Sequence, residues 1–132
     1  MTSKPILTLE DAKRIAVAAE SEAQANDWKV VIAVVDDGGH LLYLQRRHDT
    51  QFGSVATAIA KAHAAIAFQR PTKTSEEAVQ SGRLIHLALP GVIPAEGGVP
   101  LERNGVVIGA LGVSGVRSVQ DGQVAAAGVA AL

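Results

Sequence analysis

Three cationic side chains, Arg46, Lys61 and Arg70, follow closely on the longest apolar run of this chain, Val30 to Val35. An arginine grips a carboxylate with a fork of donors, and a desolvated lysine binds an oxyanion or acts as a base. If the three groups converge in the fold, they form a site for a small anionic ligand. The other interpretation is solvated surface charge paired with carboxylates. The carboxylates considered for such pairing are Asp49, Glu76 and Glu77.

Lys61 and His63 lie in an alanine-rich segment that we predict to be a helix. His63 shares a helical face with Ala56, Ala60 and Ala67, and such small residues suit either tight packing or one wall of a cavity. A histidine that faces a cavity could move a proton or ligate haem iron. Lys61 and His63 are therefore the candidates for a general base.

Two loops offer further polar groups. Asp36, Asp37 and His40 could form a carboxylate–imidazole site, but a turn that needs positive φ explains the same residues more simply. The segment Gly112 to Gly115, ahead of Ser118, could present backbone N–H groups to a carboxylate or phosphate at the start of a helix. Close packing of a helix on the sheet is the other explanation for its glycines.

The elements that must position these residues follow from apolar spacing and turn residues. Val30 to Val35 lacks alternation, which predicts a central strand covered on both faces. Asn104-Gly105 between two apolar runs predicts a hairpin with a type I′ turn. The predicted helices are 8–25, 52–69, a short one from Thr74 to Gly82, and 118–132, and the predicted strands are 30–35, 41–45, 99–103 and 106–113. Capping-box patterns at Thr8 and Thr74 and a cap at Ser118 predict helix starts, and Pro71 predicts the end of the second helix.

The strand connections are too short for parallel crossovers. We therefore expect an α/β sandwich of the α+β type, with an antiparallel sheet of about five strands and helices on both faces. The length of 132 residues fits one domain, residues 1–132.

Composition excludes several classes of protein. A net charge of −1 gives no basis for binding nucleic acid or an anionic membrane, and 3% aromatic residues offer no stacking platform for bases. The absence of cysteine excludes thiolate metal sites, and no two histidines have the helical spacing of a metal motif. The start of the chain has no signal-like apolar region, and apolar runs are too short to span a bilayer, so we expect a cytoplasmic protein.

Motifs along nearly the whole chain resemble those of the GlcG/HbpS-like family, also called the haem-degrading domain family, which includes the C-terminal domain of PduO-type corrinoid adenosyltransferases. The matching segments are Val34 to Leu41, Arg46 with Asp49, Ile59 to Ala62, Phe68 to Thr72, Gly97 to Pro100, Gly105 to Gly115, and Asp121. The resemblance implies a profilin-like antiparallel sheet, homo-oligomers, and haem binding by some members. Those members use a first-helix histidine, and Thr8 to Ala25 contains none, which leaves His63 as the candidate axial ligand.

Two functions follow as hypotheses. The first is a binding module that holds a small anionic metabolite or a tetrapyrrole such as haem. The second is a cofactor-independent enzyme of small carboxylic-acid catabolism that uses Lys61 or His63 as its base; a subunit that only contacts a partner is a further alternative. The residues assigned to the pocket by matching and proximity are Asp36, Arg46, Lys61, Arg70, Glu96, Gly97, Gly98 and Ser114.

Overall fold

The computed structural model describes residues 1–132 as three layers, with one antiparallel sheet between two layers of helices. The helices are α1 (Leu9–Ala25), α2 (Gly53–Phe68), α3 (Lys73–Gln80) and α4 (Ser118–Val129), with a short 3₁₀ helix at Leu84–Leu87. The strands are β1 (Val31–Asp36), β2 (Leu41–Arg46), β3 (Gly98–Arg103) and β4 (Val106–Ser114), in the order β2-β1-β4-β3. The α+β class is confirmed, with four strands where about five were predicted.

The central strand β1 has covered faces on both sides, as its unbroken apolar sequence predicts. Ile32 and Val34 join the larger core under α1 and α4. Val31, Ala33 and Val35 face α2 on the other side of the sheet. Side chains of alternate residues point to opposite faces of a strand, so a strand buried on both faces has no polar position to alternate.

The β3–β4 hairpin also agrees with its predicted turn. Asn104 and Gly105 both have positive φ, 53° and 77°, and Arg103 pairs with Val106 across the turn. Positive φ at both central residues is the signature of a type I′ turn, whose twist matches that of the strands.

The ends of the helices follow the sequence only in part. The predicted capping box of α1 is confirmed, because Thr8 and Asp11 exchange two side chain–backbone hydrogen bonds of 3.1 Å. The predicted box at Thr74 is wrong: α3 begins at Lys73, after Thr72. The Thr72 hydroxyl accepts a hydrogen bond of 2.9 Å from Gly98 N–H and so ties α3 to β3.

Two further helix ends lie close to their predicted positions. Helix α4 begins at Ser118, but the cap position is Arg117 and not Ser118. The Arg117 backbone N–H donates to Gln120 Oε1 at 3.2 Å. Helix α2 ends at Phe68 through the left-handed residue Gln69 (φ 52°), before Pro71 can act. None of the helices is both long and apolar enough to cross a bilayer.

Asp11 gives the start of α1 a predictable response to acid. The hydrogen bonds from Arg14 (2.7 Å) and from the Thr8 backbone hold the pKa of this carboxyl well below its usual range. A depressed folded-state pKa adds stability above the unfolded value, about 4, and that stability is lost as the pH falls. We expect Asp11→Asn to lower the free energy of unfolding by about 1 kcal/mol at neutral pH. The difference should shrink in urea titrations at about pH 3.

The exposed Asp27, beyond the end of α1, supplies the control for this prediction. Asp27→Asn should change the unfolding free energy by less than about 0.5 kcal/mol at either pH. A gap between wild type and Asp11→Asn that stays constant down to pH 3 would contradict the assigned role of the carboxylate.

Candidate functional site

The ammonium group of Lys61 is buried at the centre of the molecule, between α2 and the end of β4. Its Nζ donates to Glu96 O at 2.9 Å, to Val113 O at 3.0 Å and to Asp121 Oδ2 at 3.0 Å. An ammonium group has three donors, so Lys61 is fully satisfied by the protein. It joins α2, β4, α4 and the loop before β3, and it offers no free position to a substrate.

Asp121 completes this buried ion pair. The two side chains are 2% and 3% exposed, and the second Asp121 oxygen accepts the Val116 N–H at 3.2 Å. Burial raises the pKa of Asp121 to about 6, while the Lys61 ammonium acts in the opposite direction. This carboxylate therefore takes an N–H group that follows the glycine-rich segment Gly112 to Gly115, where the sequence suggested an external anion.

Gly97, before β3, and Gly98, the first residue of β3, are packed against the protein and do not line a hollow. Gly97 has φ +132°, and a Cβ there would lie 3.0 Å from Lys61 Nζ; a Cβ at Gly98 would overlap the Lys61 carbonyl. The Glu96 side chain packs against Gly122. Burial raises the pKa of Glu96, whose carboxyl is only partly open to solvent.

The other predicted polar residues have separate partners. Arg46 is exposed at the end of the edge strand β2, and its guanidinium donates to Thr50 O at 2.8 Å. Asp36 Oδ1 accepts the N–H groups of Gly38 (3.0 Å) and His40 (2.9 Å), which is the arrangement expected of a turn. Ser114 is buried at the last position of β4.

Arg70 lies beyond the end of α2, in a crevice beside Phe68. Its guanidinium carbon is 5.7 Å from the centre of the Phe68 ring, and it forms no ion pair within the chain. The crevice, about 10 Å³, has room for no more than a water molecule. The predicted convergence of Arg46, Lys61 and Arg70 on one hollow is therefore wrong, because Lys61 points inward while the two arginines lie at different edges of the protein.

The larger concavity lies on the outer face of α2, the small-residue face of His63 for which the sequence left tight packing and a cavity wall as alternatives. It is an open groove of about 450 Å³, lined by Ala56, Ile59, Ala60, His63, Gly91 and Ile93. The imidazole is exposed and makes no hydrogen bond within the chain. It packs on the β1–β2 turn, since a Cβ at Gly39 would lie 2.9 Å from His63 Cδ2.

Two parts of this arrangement were missed by sequence reasoning. Asp121 matched the family motif but was not assigned as the partner of Lys61; a lysine amid alanines requires some buried carboxylate, and that was the available signal. Gly91 and Ile93 come from the segment with the least regular pattern, and no signal in the sequence places them against α2. The small-residue face of Ala56 and Ala60 was found correctly.

Fold and groove together define a class of protein. It is a small three-layer α+β domain with an antiparallel sheet and an apolar groove on the outer face of helix α2. Residues 7–130 match the family described as haem degrading protein HbpS-like, and the chain belongs to that family. It is 45% identical over 114 residues to Protein GlcG of Escherichia coli K12, covering 86% of this chain and 85% of that one. The resemblance read from the motifs is confirmed.

Two crystal structures of other proteins are similar to this one along almost their whole length. That of HbpS has a TM-score of 0.89 at 31% identity, covering 100% of this chain and 94% of that one. That of PduOC in complex with haem has a TM-score of 0.86 at 32% identity, covering 97% and 96%. The sheet, the helices and their order are thus those of the family.

Proposed function

We propose that this protein binds a flat, largely apolar ligand with anionic groups, a tetrapyrrole of the haem type, in the groove beside His63. The observation that carries the proposal is an exposed imidazole without a protein partner in the wall of an apolar groove of about 450 Å³. Ligand sites of proteins are mostly apolar concavities of about 300–1,000 Å³ with a few polar groups. The similarity to PduOC in its haem complex supports the choice of ligand.

The residues of the groove suit haem. His63 would hold the haem iron through an imidazole nitrogen, and the bound haem would supply an iron centre for redox or ligand-binding chemistry. Ala56 and Ala60 keep the surface of α2 low enough for a planar ring, and Ile59 and Ile93 would flank it. Gly39 leaves room for the imidazole, since a Cβ at this position would lie 2.9 Å from His63 Cδ2.

Arg70 is the group best placed for the anionic part of the ligand. Its crevice and the groove share one wall residue, Ile93, so the two sites adjoin. A guanidinium without an intramolecular carboxylate can bind one from a ligand through two hydrogen bonds. A small anionic metabolite alone is less well served, because the crevice at Arg70 holds only a water-sized molecule.

We expect His63→Ala to weaken the binding of ferric haem by more than about tenfold, since the imidazole that would hold the iron is removed. The measurement is a titration followed by the haem Soret band. His48→Ala is the matched control: this histidine is exposed in the loop after β2, away from the groove, and its removal should leave haem affinity unchanged.

A second variant tests the role of the groove separately from that of the His63 imidazole. Ala60→Phe should block the groove while His63 is retained, and it should weaken haem binding as well. Equal haem affinity for wild type, His63→Ala and Ala60→Phe would eliminate the proposal.

Two broader expectations accompany this proposal. A cytoplasmic location stays a prediction from the sequence, and fractionation of cells that produce the protein would test it. Self-association into a homo-oligomer stays a prediction from the family, and light scattering on the purified protein would test it.

A further inference from the structure

An exposed apolar segment adjoins the groove. We use the name strap for residues 82–91, which contain the 3₁₀ helix. Four large aliphatic side chains of the strap are largely open to solvent: Leu84 (62%), Ile85 (57%), Leu87 (62%) and Leu89 (39%). So many exposed aliphatic side chains within six residues are unusual for a soluble surface and mark a contact site.

The strap has weak attachments to the rest of the fold. Beyond its own turns, it is tied to α3 by the N–H groups of Gly82 and Arg83, which donate to Val79 O and Ala78 O at 2.9 Å each, and by His86 Nδ1, 3.1 Å from Ser75 Oγ. Its 3₁₀ helix has its main contacts with α3, and at its other end Gly91 lies beside the Phe68 ring of α2. Segments with few buried contacts open at low free-energy cost.

A glycine lies at each end of the strap, and these two residues are its candidate hinges. Gly82 and Gly91 have φ +98° and +80°, conformations that only glycine adopts without strain. A Cβ at Gly82 would meet nothing within 4 Å, so the space around this end is open. Gly91 and Ile93 form one wall of the His63 groove, which places the second hinge at the groove itself.

We infer that the strap is a lid, which rotates about Gly82 and Gly91 and lays its aliphatic side chains over the ligand in the His63 groove. The inference rests on the proposed function. Closure would bury leucine and isoleucine side chains against the exposed face of a flat apolar ligand, and it would release the contact of His86 with Ser75. The gain in buried apolar area compensates for the loss of that hydrogen bond and of the one from Arg83 to Ala78.

The test compares haem binding and strap protection in one set of samples. Hydrogen–deuterium exchange of the strap amides should slow when ferric haem is added to wild type. Leu84→Ser/Leu87→Ser should weaken haem binding by about tenfold or more while the Soret position, set by the axial ligand, stays the same. The matched control is Val17→Ser/Val119→Ser, which alters two side chains of similar exposure (62% and 63%) on α1 and α4, across the sheet, and should leave haem affinity unchanged.

Each other outcome overturns the lid. If haem binds through His63 but strap exchange and the affinity of Leu84→Ser/Leu87→Ser do not change, the lid is rejected and the haem site stands. If haem does not bind wild type, both proposals fail. Protection of the strap without haem that grows with protein concentration would show that the strap is a contact between copies of the chain.

Discussion

Lys61→Met should lower the free energy of unfolding by about 3–5 kcal/mol, because it leaves the carboxylate of Asp121 buried without its counter-ion. Methionine keeps the length of the side chain, so the lost quantity is charge and hydrogen bonding more than volume. The free energy of unfolding of a whole domain is about 5–15 kcal/mol, so the variant loses a large share of its stability. Urea unfolding followed by circular dichroism measures the difference.

The pH dependence of this variant gives a second readout with a definite sign. Burial raises the pKa of Asp121 to about 6 even with Lys61 present, and removing the ammonium should raise it further. A raised folded-state pKa adds stability at low pH that is lost as the pH rises through it. Lys61→Met should therefore lose less stability at about pH 5 than at about pH 8.

Controls for Lys61→Met come from the same chain. Lys73→Met removes an exposed lysine, 54% open to solvent and 3.8 Å from Glu77, and should cost less than about 0.5 kcal/mol. Lys61→Met/Asp121→Asn should recover part of the loss, because the orphaned charge is gone. Unfolding of Lys61→Met at the wild-type urea concentration would show that the ion pair does not stabilise the fold.

Gly112→Ala should also lower the free energy of unfolding strongly, although it adds only one methyl group. A Cβ at Gly112 would overlap the carbonyl oxygen of Ala58 and lie 2.6 Å from the backbone nitrogen of Ala62. These atoms belong to the hydrogen-bonded backbone of α2 and cannot rotate away, so the whole helix must move off the sheet. Overpacking of a core costs about 1–3 kcal/mol and occasionally more, and we expect the upper end of this range.

Gly53→Ala is the matched control for this substitution. Gly53 is the first residue of α2, and a Cβ there would meet nothing within 4 Å. Alanine at this position should leave stability unchanged or raise it by up to about 1 kcal/mol through helix propensity. Thermal or urea unfolding of both variants tests the contrast, and equal stability of Gly112→Ala and wild type would show that α2 does not pack directly on β4.

Only one of the two walls of the candidate groove, the one formed by α2, could be predicted from the sequence. The small-residue face of α2 with His63 follows from helical spacing, since Ala56, Ala60 and His63 repeat at intervals of about one turn. The other wall comes from Gly91 and Ile93, in a segment interrupted by prolines and glycines, where no periodicity indicates what the chain will contact. The pattern could therefore predict a cavity wall but not the groove.

The sequence by itself determined the features that depend on neighbouring residues. The burial of β1 on both faces, the type I′ turn at Asn104-Gly105 and the capping box at Thr8 each follow from spacing or backbone preference within a few positions. These preferences act locally, so they need no knowledge of the path of the chain.

Only the tertiary structure decided which charges meet. Lys61 pairs with Asp121, a residue 60 positions away, and not with a nearby carboxylate, while Arg46 stays at the edge of the sheet. The reason is that an ion pair requires proximity in space. Helices α2 and α4 lie on opposite faces of the sheet, and the side chains of Lys61 and Asp121 meet near the end of β4. Formal charges along a sequence contain no such distances.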